Sequence, residues 1–143
     1  MRSNDEHDRL TAVPMFRGCS KRELALIGRA VERVHVDAGD TLAEENRIGR
    51  ELFVIVRGTA EVHRGGTLVA TLGPGDYFGE LAVLQPGRRN ATVRAATPLE
   101  VLVVAESSLF GLLSEVPGLA RSLLAGLARR LDAADRTTAQ LAS

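Results

Sequence analysis

Between residues 32 and 104 the chain turns at a glycine or proline corner every ~8–12 residues, and the segments between corners have the period of a β-strand. Val34 and Val36 alternate with His35 and Asp37; Ala38-Gly39-Asp40 then turns the chain, and residues 41–44 return it. Leu52-Phe53-Val54-Ile55-Val56 is apolar on both faces, which predicts a central strand sandwiched between two layers. Gly58 ends it, residues 59–64 resume, and Gly65-Gly66 supplies a two-residue hairpin turn into residues 67–72. Gly73-Pro74-Gly75-Asp76 is the next corner. Residues 91–96 and 99–104 are two further strands joined through Thr97-Pro98. Such a cadence folds as a sandwich, barrel or jelly roll.

Helices bracket the strands. Ser20 is predicted to cap a helix, with Glu23 three residues later completing a capping box. That helix should run to about Val31, with Leu24, Ile27 and Val31 on one face. Ahead of it Val13-Pro14-Met15-Phe16 is an apolar plug broken by proline, and residues 1–9 are expected to be a disordered lead-in. After Ala105, Ser107 or Ser108 is expected to start a short helix carrying Leu109, Leu112 and Leu113. Pro117-Gly118 separates it from a long last helix. There Ala120, Leu124, Leu127, Leu131, Ala134, Thr138 and Leu141 recur at alternating spacings of four and three, the seam of a coiled coil. A single amphipathic helix laid on the strands is the competing reading.

Bulk properties remove several classes of function. The 143 residues suit one domain that buries about two-thirds of its unfolded surface. A formal net charge of zero gives no overall attraction to DNA. Cys19 is the single cysteine, which excludes an internal disulfide and any cysteine-only metal or iron–sulfur site. It lies by a helix start, where a thiol pKa can fall, although a buried, inert cysteine is the ordinary case. Residues 1–9 have no apolar signal-peptide core, and no apolar run approaches the ~20 residues that span a bilayer. A reduced, cytoplasmic location is therefore expected. His7, His35 and His63 are too scattered for a metal centre, and the closely spaced His-x-His of a cupin barrel is absent. Ser107 and Ser108 lack a histidine or a Gly-x-Ser-x-Gly elbow. No metal, cofactor or enzymatic activity is expected. Arginine far outnumbers lysine, present only as Lys21, a bias that suggests a GC-rich bacterial genome.

The chemistry is concentrated in residues 78–93. Glu80 stands nine positions before Arg89, with a short helix-compatible turn (residues 81–84) and a Pro86-Gly87 corner between them. Backbone N–H groups at a glycine-led helical turn suit a phosphate, and an arginine folding back on that spot adds a planar, permanently charged fork. A carboxylate there would repel the phosphate, so Glu80 must serve another group, and a sugar hydroxyl fits. A small anionic sugar phosphate is the implied ligand.

These residues resemble the phosphate-binding cassette of the cyclic nucleotide-binding domains, the family of catabolite activator proteins, protein kinase A regulatory subunits and cyclic nucleotide-gated channels. Its pattern, F-G-E-[LI]-[AS]-x-L then R-x-A-[ST]-V, is matched by Phe78, Gly79, Glu80, Leu81, Ala82, Leu84, Arg89, Ala91, Thr92 and Val93. The resemblance runs from about residue 10 to about residue 141. It implies an α+β, mainly β fold: an eight-stranded β-roll, or jelly roll, with an N-terminal helix and C-terminal helices. One domain would cover residues 10–143, with about 107–143 as a helical lid and dimer region.

The resemblance also assigns roles. Arg89 would hold the phosphate, and Glu80 would accept a hydrogen bond from the ribose 2′-hydroxyl. Gly79, Leu81, Ala82, Asn90 and Ala91 would line the ligand, and Val69 and Leu72 belong to the same expected set. Asn90 replaces the family's Ser, Thr or Ala, but its amide can donate to a phosphate oxygen. Glu45-Asn46 stands where the family has a glycine in a tight turn, and asparagine tolerates left-handed geometry. Few aromatics (no Trp, one Tyr, four Phe) favour an aliphatic lid over a stacked one. Aligned through Ala128-Arg129-Arg130-Leu131, the family positions that touch the purine's exocyclic amine fall on Ala134 and Asp135. An ionised Asp135 would accept from adenine's amine and oppose guanine's carbonyl, which favours cyclic AMP over cyclic GMP. Arg130 either reaches the ligand or is solvated.

The resulting expectation is a free-standing cyclic nucleotide sensor without a helix-turn-helix. It would act by ligand-linked rearrangement of its C-terminal helix on an unidentified effector protein. A homodimer through that helix is expected, and no direct DNA or membrane contact. Two readings stay open beside it: a transcription regulator truncated before its DNA-binding domain, and an interaction module with a vestigial pocket.

Overall fold

The computed structural model describes residue 10, residues 13–79 and residues 87–142, with side chains of the last helix described through Arg129 and at Asp132. The lead-in expected over residues 1–9 lies outside the described residues. The capping box forms as predicted: the Ser20 hydroxyl accepts from the Glu23 N–H at 3.1 Å, and the Glu23 carboxylate accepts from the Ser20 N–H at 2.9 Å. Helix α1 (Lys21–Ala30) buries Leu24 and Ile27. Val31, expected within the helix, instead opens strand β1 (Val31–Val36), in keeping with the stiffness of a β-branched side chain.

Nine further strands follow among the described residues: β2 (Thr41–Ala43), β3 (Ile48–Gly49), β4 (Glu51–Arg57), β5 (Ala60–Arg64), β6 (Thr67–Leu72), β7 (Tyr77–Phe78), β8 (Gly87–Arg88), β9 (Thr92–Ala95) and β10 (Leu99–Ala105). Eight strands build two antiparallel four-stranded sheets, ordered β1-β10-β4-β7 and β2-β9-β5-β6, which are the expected β-roll. The remaining two, β3 and β8, pair as a separate short ribbon that the apolar pattern did not signal.

Strand β4 is apolar on both faces because it divides two cores. Phe53 and Ile55 point between the sheets, where they meet Val93, Ala95 and Val101. Leu52 and Val54 point outward onto the helices, against Leu24, Ile27, Leu109, Leu112, Leu119 and Leu123. Where the helical cover runs out, a bulge in β10 leaves Glu100 opposite Arg57. Glu100 is buried, and it is held by Arg33 at 3.0 Å and Arg57 at 3.6 Å.

Helix α2 (Glu106–Glu115) follows β10 directly, with Ala105 at its N-cap and no side-chain cap. Ser107 and Ser108 therefore lie in its first turn and do not start it. Helix α3 (Pro117–Ala142) packs through Leu119, Leu123 and Gly126. Of the expected coiled-coil seam, Ala120 and Leu127 are half-buried and Leu124 is 66 % exposed. The described half of α3 is thus an amphipathic helix laid on the roll, with Leu124 outside the packed face. No described helix is long and apolar enough to cross a membrane.

Candidate functional site

The site is built on the pairing of β4 with β7. Their register sets Phe53 opposite Phe78, and the two rings stack 4.8 Å apart at 13°. Beyond Phe78 the chain turns at Gly79, whose φ of +92° lies in the left-handed region that favours glycine. The turn is also too tight for a side chain. A Cβ on Gly79 would overlap both Nη1 of Arg89 and the Glu51 carbonyl oxygen.

The chain returns through β8, paired with β3 so that Ile48 faces Arg88 and Gly49 faces Gly87. Arg89 comes next, and its backbone is held from both sides. Its N–H donates to the Arg47 carbonyl at 2.8 Å, and its carbonyl accepts from the Asn46 N–H at 2.8 Å. Its side chain passes directly over Gly49, where a Cβ would overlap Nε and Cζ. Nη2 donates to the Glu51 carbonyl at 3.0 Å, and the guanidinium sits 5.7 Å above the centre of the Phe53 ring. Arg89 is only 8 % exposed, rare for a residue type that is almost never buried without partners. A guanidinium carries five N–H donors in one plane, so fixing one of them on Glu51 orients the others.

A second layer of contacts steadies this arginine. Asn46 adopts φ +70°, the left-handed geometry anticipated for it, and its carbonyl accepts from Arg88 Nη1 at 2.6 Å. Arg64 Nε donates to the Asn90 carbonyl at 3.1 Å. Glu45 spans the gap to the β5–β6 hairpin: its carboxylate accepts from the Gly65 N–H at 3.1 Å, and its own N–H donates to Thr92 Oγ1 at 3.0 Å.

Of the residues expected to bind ligand, Gly79 and Arg89 are in contact distance of each other, and Ala91, close behind Arg89 in sequence, is buried. Asn90 is exposed. Leu72 packs against the core between the sheets, and Val69 is 50 % exposed on the edge strand β6; neither belongs to the group that seats Arg89. Glu80, Leu81 and Ala82, with the turn expected over 81–84, lie outside the described residues. Arg130 and Asp135 fall on α3, and their side chains lie outside the described ones.

Sequence reasoning missed Gly49, the Glu51 carbonyl and Phe53 as parts of the seat. Gly49 alone carried a signal, being a glycine next to a strand rather than in a turn. At Cys19 burial, and secondarily the Glu23 carboxylate, push the thiol up; the helix start does not lower it. Among the described residues no group of three His, Cys, Asp or Glu side chains could hold a metal ion.

The chain that builds this arginine seat belongs to the cyclic nucleotide-binding domains, whose family model matches residues 33–116. It is 34% identical over 110 residues to the cAMP-dependent protein kinase regulatory subunit of Eremothecium gossypii, covering 76% of this chain and 24% of that protein. It is 32% identical over 127 residues to the cyclic AMP receptor protein of Thermus thermophilus, covering 85% of this chain and 59% of that protein. The crystal structure of Thermus thermophilus catabolite activator protein matches with a TM-score of 0.82 at 30% identity, over 90% of this chain and 63% of that one. The chain thus spans about a quarter of the kinase subunit and about three-fifths of the receptor protein.

Proposed function

We propose that this chain is a cyclic nucleotide sensor that binds cyclic AMP in preference to cyclic GMP and transmits occupancy through α3 to an effector protein. The observation that carries this reading is the seat of Arg89. Gly49 and Gly79 give up side-chain volume to it, Glu51 fixes one of its donors, and Phe53 lies beneath it. A loop arginine with no ligand needs none of these, which argues against a vestigial pocket. The names of the relatives, a cAMP-dependent kinase subunit and a cyclic AMP receptor protein, support the choice of nucleotide.

In this reading Arg89 pairs with the cyclic phosphate, with Gly79, Leu81, Ala82, Asn90 and Ala91 around it. Glu80 takes the ribose 2′-hydroxyl, and Asp135, with Arg130 near it in sequence, faces the purine. Val69 and Leu72 complete the set. The role is binding without chemistry on the ligand, carried out in the cytoplasm by a homodimer joined through α3. Calorimetric titration with both nucleotides is the test. Cyclic AMP should bind more tightly than cyclic GMP, Asp135→Ala should narrow the difference, and the cost of Glu80→Gln should shrink for a 2′-deoxy nucleotide. Absence of binding by either nucleotide would overturn the proposal.

A further inference from the structure

Tyr77 is the residue on which the Arg89 seat and the last helix meet. It is buried on β7, immediately before Phe78 and Gly79. Its hydroxyl donates to the Leu123 carbonyl of α3 at 3.3 Å, which a helical carbonyl with two lone pairs can accept alongside its own helix bond. Its oxygen also occupies the space of a side chain at Gly126, where a Cβ would overlap it. Glycine inside a helix is unfavourable by about 1 kcal/mol relative to alanine, so Gly126 is a conspicuous choice. Along the packed stripe of α3, Leu119 and Leu123 carry bulky side chains. Gly126 is the notch in that stripe, and the Tyr77 ring sits against it.

We infer that Tyr77 and Gly126 form a latch that ties the axial position of α3 to the seat of Arg89. The path is short. Tyr77 holds α3, its neighbour Phe78 stacks on Phe53 beneath the guanidinium, and Gly79 abuts Nη1. Seating of the ring in the notch and assembly of the arginine seat therefore favour each other, and linkage makes the effect reciprocal. The inference rests on the nucleotide-binding reading and adds to it the residues through which the helix feels the site.

The test uses the full chain, calorimetry with cyclic AMP, and hydrogen exchange of the α3 amides. In the parent, nucleotide should slow exchange over residues 119–129. Gly126→Ala should weaken cyclic AMP binding about fivefold or more, within the ordinary range of coupled sites, and should abolish that slowing. Gly118→Ala adds a Cβ to the same helix in open space and should do neither. Unchanged affinity together with undiminished slowing in Gly126→Ala would overturn the latch. Should Gly126→Ala not fold, Tyr77→Phe decides: it removes only the hydroxyl and should shift both readouts the same way by a smaller factor, and no shift in either sinks the idea. Tyr77 is the chain's single tyrosine, so its ring resonance reports the latch without assignment. A parent that fails to bind nucleotide defeats the function reading alone. The latch is then judged by whether Gly126→Ala, unlike Gly118→Ala, speeds exchange in both α3 and β7.

Discussion

Arg89 occupies the volume that a side chain on residue 49 would need. The two are distant in sequence and are brought together by the β3–β8 ribbon, in which Gly49 faces Gly87, two residues before the arginine. The ribbon is too short to contribute much to the fold. Its role is to lay a residue without a Cβ beneath an arginine whose backbone is already held at Arg47 and Asn46.

Gly49→Ala should therefore damage the site more than the fold. Overpacking costs about 1–3 kcal/mol, and either the ribbon or the arginine must yield. Affinity for cyclic AMP should fall about tenfold or more, while denaturant unfolding stays a single cooperative transition. Retained affinity in calorimetry would mean that the arginine does not depend on this seat.

Arg89→Leu removes the cation itself. A hydrogen bond to a charged group contributes about 1.5–3 kcal/mol, and an unpaired phosphate in the pocket adds to the loss. Binding should weaken by about tenfold to several hundredfold. Because Gly49 acts only through Arg89, the double variant should bind no worse than Arg89→Leu alone, a non-additivity expected of residues in contact. Additive losses in the cycle would refute the shared seat.

The roll was legible wherever local chemistry decides structure: the Ser20–Glu23 box, the doubly apolar β4, the Gly65-Gly66 turn, and the left-handed Asn46. Arg89 and Gly79 were legible as a pair because the motif spans a loop. The rest of the seat was not. Glu51 contributes a backbone carbonyl, which no side chain advertises, and Phe53 reads equally well as core. Gly49 and Gly126 matter through what approaches them from far along the chain; the place of Gly49 beside a strand hints at a close approach, but a single sequence does not say which residue makes it. Ser107 and Ser108 misled because a cap is set by where the preceding strand stops, and β10 runs on to Ala105.

Phe53→Leu keeps the interior apolar and removes the ring. The stack with Phe78 contributes about 0.5–1.5 kcal/mol beyond burial, and the guanidinium above the ring about 0.5–2 kcal/mol. Urea unfolding should show a loss of about 1–3 kcal/mol, and cyclic AMP affinity should drop several-fold as Arg89 loses its floor. A stability loss with no change in binding would separate the ring from the site.

Ser20→Ala tests the fold without touching the site. Loss of the capping hydroxyl costs about 0.5–2 kcal/mol, which for a chain of this size lowers Tm by about 2–8 °C. Nucleotide affinity should not move, since α1 contributes nothing to the Arg89 seat. An affinity loss matching that of Gly49→Ala would show that general destabilisation, not seat geometry, governs binding.

Cys19 gives a pH dependence with a definite sign. Burial, then the Glu23 carboxylate, raise its pKa in the folded chain above the ordinary thiol value of 9.0. The folded chain therefore holds the proton more tightly than the unfolded one. The matching stability is complete below the unfolded thiol's pKa and is lost as pH rises through the folded value. Iodoacetamide should accordingly modify Cys19 more slowly in the folded chain than in urea at pH 8, with a rate profile whose midpoint lies on the alkaline side of the unfolded one. Glu23→Gln removes the second cause and leaves the first, so its midpoint should fall between the two. Comparing parent with Cys19→Ala isolates the thiol from other alkaline titrations: the parent should lose stability faster with rising pH. A folded-state midpoint below the unfolded one would show that the helix start does lower this thiol after all.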